Sequence, residues 1–134
     1  METLIRNTKK NLTQDANTCY YVNDIHSGLN QTKVSKIFSP NNLEDVRDFI
    51  QSVWINKSSF SISGGRHSMG GQQFLSDEIL LDTRNLNRIL DFDRVNGIME
   101  VEAGIQWDEL TLKIPELQNE MKTKWGIRQK QTGA

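Results

Sequence analysis

Four of the nine glycines in this chain fall within eight positions, Gly64-Gly65-Arg66-His67-Ser68-Met69-Gly70-Gly71. They follow a short β-like run, Phe60-Ser61-Ile62-Ser63. A strand that opens into such a loop exposes backbone N–H groups with few side chains in the way. That arrangement suits an anion, above all a phosphate. His67, in the middle of the loop, adds a group able to react. Function is therefore sought here first.

The rest of the composition narrows the options. At 134 residues the chain is about one domain, able to bury roughly two-thirds of its unfolded surface. An apolar fraction of 36% and a charged fraction of 25% are those of an ordinary soluble protein. A net charge of −1 gives no bulk attraction to nucleic acid or to an anionic membrane. Residues 77–109 hold nine acids against three bases, whereas Lys122, Lys124, Arg128 and Lys130 close the chain with no acid among them. The basic tail reads as a solvated face. Cys19 is the only cysteine, which rules out an intramolecular disulfide and points to a reducing, cytoplasmic setting. No run is long and apolar enough for a signal peptide or a membrane span.

Residues 1–31 are polar, rich in Asn and Thr, and read as an irregular arm; residues 32–134 read as the folded part. Thr32 to Ser39 alternates as one strand that Pro40 stops. Asn41 or Asn42 then caps a helix over about 42–55, with Glu44 and Asp45 at its positive end. Leu43, Val46, Phe49, Ile50, Val53 and Trp54 fall on one face of it, and Trp54 and Trp107 are expected in the core. Glu78 to Asp82 reads as a buried strand. Arg88 to Asp93 and Ile98 to Ala103 flank Asn96-Gly97 as a hairpin. Trp107, Leu110 and Ile114 predict a short helix that Pro115 interrupts, with helix resuming over 116–123 and a last strand over 126–131. The order of elements gives an α+β layer without internal repeats.

Several motifs fail on inspection. The glycine loop lacks the Gly-x-Gly-x-x-Gly spacing of a dinucleotide fingerprint. Gly65 to Gly70 has P-loop spacing, but Gly71-Gln72 stands where the lysine and hydroxyl should be. Ser68 is no nucleophile elbow, because Arg66 occupies the required glycine. Asp91 to Gly97 has its glycine one place late for a calcium loop and Val95 at a ligand position. His26 and His67 are far apart in sequence, with no Cys or His cluster nearby to hold a metal. Arg66 reads equally well as a bidentate phosphate ligand and as a solvent-facing loop residue.

The run from Lys33 to Glu109 is more specific than any single motif. It resembles the first half of the FAD-binding domain of the vanillyl-alcohol oxidase and p-cresol methylhydroxylase (PCMH-type) flavoproteins. The matching blocks are Asn42-Leu43-Glu44-Asp45-Val46, the loop 63–72, Ile79 to Asn87, and Val101 to Leu110. The resemblance implies a small mixed sheet packed with helices, the first subdomain of such a fold, truncated before its second half. It implies that FAD is held by Gly64, Gly65, Arg66, His67, Ser68, Met69, Gly70, Gly71 and Gln72, with the amides of 64–68 around the pyrophosphate. His67 stands where many relatives carry a covalent link to the flavin 8α-methyl group, although Arg66 precedes it where glycine is common. Covalent and non-covalent FAD both remain open.

The implied function is FAD binding within a flavin-dependent oxidoreductase that oxidises an alcohol-, aldose- or lactone-like substrate by hydride transfer. The partners are then FAD and a small-molecule substrate, with no nucleic acid and no membrane. The chain has no identifiable substrate base, so turnover by it alone is not expected. Two other readings stand beside this one: a non-catalytic interaction module, and another nucleotide or phosphate binder that uses the same loop.

Overall fold

The computed structural model describes residues 19–127. They form a mixed α/β fold of seven strands and two helices. At its centre lie three parallel strands, β3 (Lys36–Phe38), β5 (Ile79–Asp82) and β4 (Phe60–Ser63), in the spatial order β3-β5-β4. Parallel neighbours need a crossover between them. The helix α1 (Leu43–Asn56) carries the chain from β3 to β4, on the two sides of β5. The central strand β5 is almost uniformly apolar, as a strand covered on both faces must be. Leu80, Leu81 and Asp82 in it are all buried.

Two antiparallel ribbons flank this sheet. One pairs β1 (Tyr20–Val22) with β2 (Thr32–Val34), and the other pairs β6 (Ile89–Asp93) with β7 (Ile98–Val101). Val22, Val34, Phe74 and Leu80 form the buried cluster, with Ile37 packed against it. The fold thus already includes Tyr20–Val22, which the sequence placed in an irregular arm. Thr32 to Ser39 is not one strand either. It breaks at Ser35, whose amide donates to the Glu78 carbonyl at 2.9 Å. On one side of the break the chain pairs with β1, and on the other with β5.

The α1 helix begins as its residues dictate. Asn42 Oδ1 accepts the Asp45 amide at 2.9 Å, and Glu44 and Asp45 lie in the first turn. It ends at Lys57, which adopts a left-handed φ of 50°. Phe49 docks it on the sheet, stacked on Phe38 at 4.7 Å and edge-on to Phe60 at 5.1 Å. The rest of the expected apolar face is not core: Trp54 is 84% exposed, and Leu43 and Ile50 also face outward. A three-strand sheet presents Phe38 and Phe60 to this helix, and Phe49 alone fills the space between them. Trp107 is also not core: it is 41% exposed, at the first residue of its helix.

That helix, α2 (Trp107–Leu117), runs through Pro115 rather than stopping there. Pro115 lies two residues from the end, so the missing amide removes a single helical bond where the ladder is about to finish. Helix does not resume afterwards. Gln118 instead turns back, its amide oxygen accepting from Trp125 N at 2.6 Å and its nitrogen donating to Trp125 O at 3.0 Å. The β6–β7 hairpin forms as the sequence predicts, with a four-residue connection over 94–97. The Asp93 carbonyl accepts from Gly97 N at 2.8 Å, and Gly97 takes φ 69°. Residues 126 and 127 form no strand, and the remainder of the expected last strand lies outside the described residues.

Candidate functional site

The glycine loop leaves β4 at Ser63 and reaches the short 3-10 turn Gly71–Gln73. Among the described residues, the backbone amides of 65–70 donate to no carbonyl or side chain. Close approach explains Gly65: a Cβ there would lie 2.7 Å from both Gln106 Nε2 and His67 Cδ2. Ser63 Oγ and Arg66 Nε are buried beside the loop without a hydrogen-bond partner among the described residues. Amides without a partner in the protein and orphaned polar atoms are what a phosphate-bearing cofactor needs.

Arg66 is not solvent-facing: its Nη2 is paired with Asp82, while its Nε is buried without a partner among the described residues. Its backbone takes φ 61°, the left-handed region that glycine favours. Its Nη2 donates to Asp82 Oδ2 at 2.8 Å, with the arginine side chain 14% and the aspartate 3% exposed. Asp82 also receives Arg84 in a fork, from Nε to Oδ1 at 2.9 Å and from Nη2 to Oδ2 at 2.7 Å. Burial alone would raise the Asp82 pKa. The hydrogen bonds and charge of Arg84, with the bond from Arg66, outweigh that and hold it below the usual carboxylate range.

A second loop, residues 23–30, runs against the first. Ile25 N donates to the Arg66 carbonyl at 3.1 Å, and Asn30 Nδ2 donates to the Met69 carbonyl at 2.9 Å. The rigidity of this loop comes from the buried Asp24. Its carboxylate accepts from His26 N, Ser27 N, Ser27 Oγ and Asn30 Nδ2. The Asn30 side chain and the Ser27 amide hold its pKa far below the ordinary value. The result places His26 Nε2 3.2 Å from His67 Nδ1, with ring centroids 5.1 Å apart. Further along, Gln72 Nε2 donates to Ser68 Oγ at 2.6 Å and Gln73 Nε2 to the Ser68 carbonyl at 2.9 Å.

Residues 64–72 thus occupy one continuous loop, braced by Asp82 beneath and by residues 25–30 alongside. Met69 in it is 71% exposed. Sequence reading missed His26, Asp82, Arg84 and Gln106 as neighbours of the loop. Asp82 carried a usable signal, a lone carboxylate ending an otherwise apolar buried strand. His26 and Gln106 carried none. A separate apolar cavity of about 270 Å³ lies between the β6–β7 ribbon and α2. No residue of the glycine loop lines it, and its polar member Gln118 is already engaged with Trp125.

Residues 34–130 match the model of a family described as "FAD binding domain". The chain belongs to that family. Its fold is the first part of a PCMH-type FAD-binding fold, as in the flavin-dependent oxidoreductases. The rat (Rattus norvegicus) mitochondrial D-2-hydroxyglutarate dehydrogenase is 27% identical over 81 residues, which cover 60% of this chain and 15% of that protein. A solved alkyldihydroxyacetonephosphate synthase superposes with a TM-score of 0.57 at 21% identity, over 66% of this chain and 18% of its own. A berberine bridge enzyme variant described as a reticuline dehydrogenase gives 0.54 at 29% identity, over 60% and 16%. The chain therefore spans less than a fifth of the length of each of these relatives.

Proposed function

We propose that the glycine loop, residues 64–72, holds the FAD pyrophosphate through its backbone amides, and that His67 carries the flavin on a covalent tether. The observation that carries this reading is the row of unsatisfied amides from 65 to 70 beside the orphaned Ser63 Oγ and Arg66 Nε, within a chain of an FAD-binding family. The loop is held open in advance by Asp82 and by residues 25–30. Little ordering is then left for the moment of binding, which favours affinity.

FAD, when bound, supplies the hydride acceptor, while the protein supplies binding, orientation and electrostatics. We place the chain in a flavin-dependent oxidoreductase acting on an alcohol-, aldose- or lactone-like carbon. The name of the rat relative, a dehydrogenase of a 2-hydroxy acid, agrees with an alcohol carbon. Substrate binding and turnover are assigned to parts of a longer protein.

The test is titration of the purified chain with FAD, followed by flavin fluorescence, for wild type and Gly65→Val. Binding by wild type that falls at least tenfold in the variant supports the loop. Equal affinity in both moves the cofactor elsewhere. Binding of ATP with no affinity for FAD would replace this reading with a different nucleotide site. Flavin colour that stays with acid-precipitated protein and is absent from His67→Ala establishes the tether, whereas colour released to the supernatant means non-covalent FAD.

A further inference from the structure

Gln106 reaches the glycine loop from a distant part of the chain, and no described residue uses its side chain. A Cβ at residue 65 would lie 2.7 Å from its Nε2 and 3.0 Å from its Oε1, so the carboxamide rests against Gly65. Gln106 is the N-cap of α2, yet its side chain caps nothing. Caps are made by short polar side chains that fold back onto the first turn, and this longer one extends toward the loop instead. It is half-buried, and it pairs with none of the loop amides.

Its position is built rather than incidental. Gly104 is buried, and its amide donates to the Leu86 carbonyl at 2.8 Å. Ile105 N donates to the Glu102 carbonyl at 3.2 Å, and Leu110 N to the Gln106 carbonyl at 2.9 Å. Residue 106 is thereby pinned beside the 83–86 turn. That turn follows β5, and the glycine loop follows its parallel neighbour β4. Ligands of such sheets bind outside the carboxyl ends of the strands. A donor without a partner, set there beside a row of amides without partners, calls for a shared ligand.

We propose that Gln106 is a further ligand of the cofactor's pyrophosphate, its Nε2 donating to a phosphate oxygen together with the amides of the glycine loop. The inference rests on the reading of residues 64–72 as the pyrophosphate cradle. Glutamine donates without carrying a charge, where a P-loop places a lysine. An acid of the same shape at 106 would offer an oxygen in place of the donor and add a like charge. A lysine would keep a donor and add an attractive charge.

Calorimetric titration of the purified chain with FAD, ADP and riboflavin tests this in wild type, Gln106→Glu, Gln106→Ala and Gln106→Lys. FAD and ADP share the pyrophosphate, which riboflavin lacks. We expect Gln106→Glu to weaken FAD and ADP alike by at least about tenfold, as a close like charge should. Affinity should rise in the order Gln106→Glu, Gln106→Ala, wild type, with Gln106→Lys at or above wild type. Added salt should narrow that span, because charge separates the variants. Riboflavin should show no such order. Melting temperature is a separate readout: an acid at the N-terminus of α2 favours the helix. Gln106→Glu should therefore melt no lower than Gln106→Lys while binding FAD more weakly. Affinities that simply follow the melting temperatures would reduce Gln106 to a structural role and overturn the contact. Equal FAD affinity in Gln106→Glu and wild type, or a riboflavin loss as large as the FAD loss, overturns it too and leaves the loop standing. Failure of wild type to bind either FAD or ADP removes the cradle and this role together.

Discussion

Nη2 of Arg66 stands 2.8 Å from Oδ2 of Asp82, and both side chains are out of solvent. The pair joins the glycine loop to the end of the central strand. Arg84, half exposed, completes the charge balance on the same carboxylate. The loop is thus anchored by an ion pair roughly as buried as the core.

Removing one partner of a buried pair strands the other charge. Asp82→Asn should therefore lower stability at neutral pH by about 3 kcal/mol, near the lower end for a broken buried pair because the amide can still accept a hydrogen bond. Urea denaturation of wild type and variant gives the difference. Its pH dependence has a definite sign. The folded pKa of Asp82 lies below its ordinary value, so the stabilisation is present above the unfolded value of about 3.9 and fades as pH falls through the folded one. The gap between wild type and variant should therefore close in acid, and a gap independent of pH would contradict the pair.

Arg66 holds a left-handed backbone that costs a residue with a Cβ roughly 1–2 kcal/mol. Arg66→Gly and Arg66→Ala both lose the pair with Asp82, but only glycine also relieves the strain. The glycine variant should be more stable than the alanine variant by about 1 kcal/mol, even though glycine gives up more entropy on folding. Thermal denaturation of the two variants side by side measures this. Equal melting temperatures would mean that position 66 is not left-handed in solution.

Local signals predicted local structure well. Asn42 with Glu44 and Asp45 marked the start of α1, and the apolar run Ile79-Leu80-Leu81 marked the buried strand. The cluster of glycines marked the loop. What failed depended on partners distant in sequence. Ser35 breaks a strand because Glu78 waits for its amide, and Trp54 is exposed because two phenylalanines already fill the sheet face beneath α1. His26 carried no signal, since its contact with His67 exists only once Asp24 has shaped the loop between β1 and β2.

Asp24 makes that dependence testable. Asp24→Ala removes four accepted hydrogen bonds from residues 26–30, so the amides of His26 and Ser27 should exchange with deuterium markedly faster than in wild type. Exchange at Leu80 and Leu81 in β5 should hardly change. The same loosening should come with falling pH in the wild type, because the folded carboxyl titrates below its ordinary value and loses its bonds when protonated. Uniformly faster exchange across the whole chain would show instead that Asp24 supports the global fold rather than this loop.

Gly104 offers the sharpest steric test. Its amide donates to the Leu86 carbonyl at 2.8 Å, and a Cβ there would fall 1.8 Å from the Thr83 carbonyl oxygen and 3.0 Å from the Arg84 Cα. These are backbone atoms, which cannot swing aside as a flexible side chain would. The segment leading into α2 would have to separate from the 83–86 turn, which follows directly from Asp82. Gly104→Ala should cost about 3 kcal/mol, at the upper end of ordinary overpacking. Gly126→Ala, with nothing among the described residues within 4 Å of its Cβ, should stay within about 0.5 kcal/mol of wild type. Chemical denaturation of both variants decides the matter. A Gly104→Ala protein as stable as Gly126→Ala would mean that the close approach of residue 104 to Thr83 does not exist.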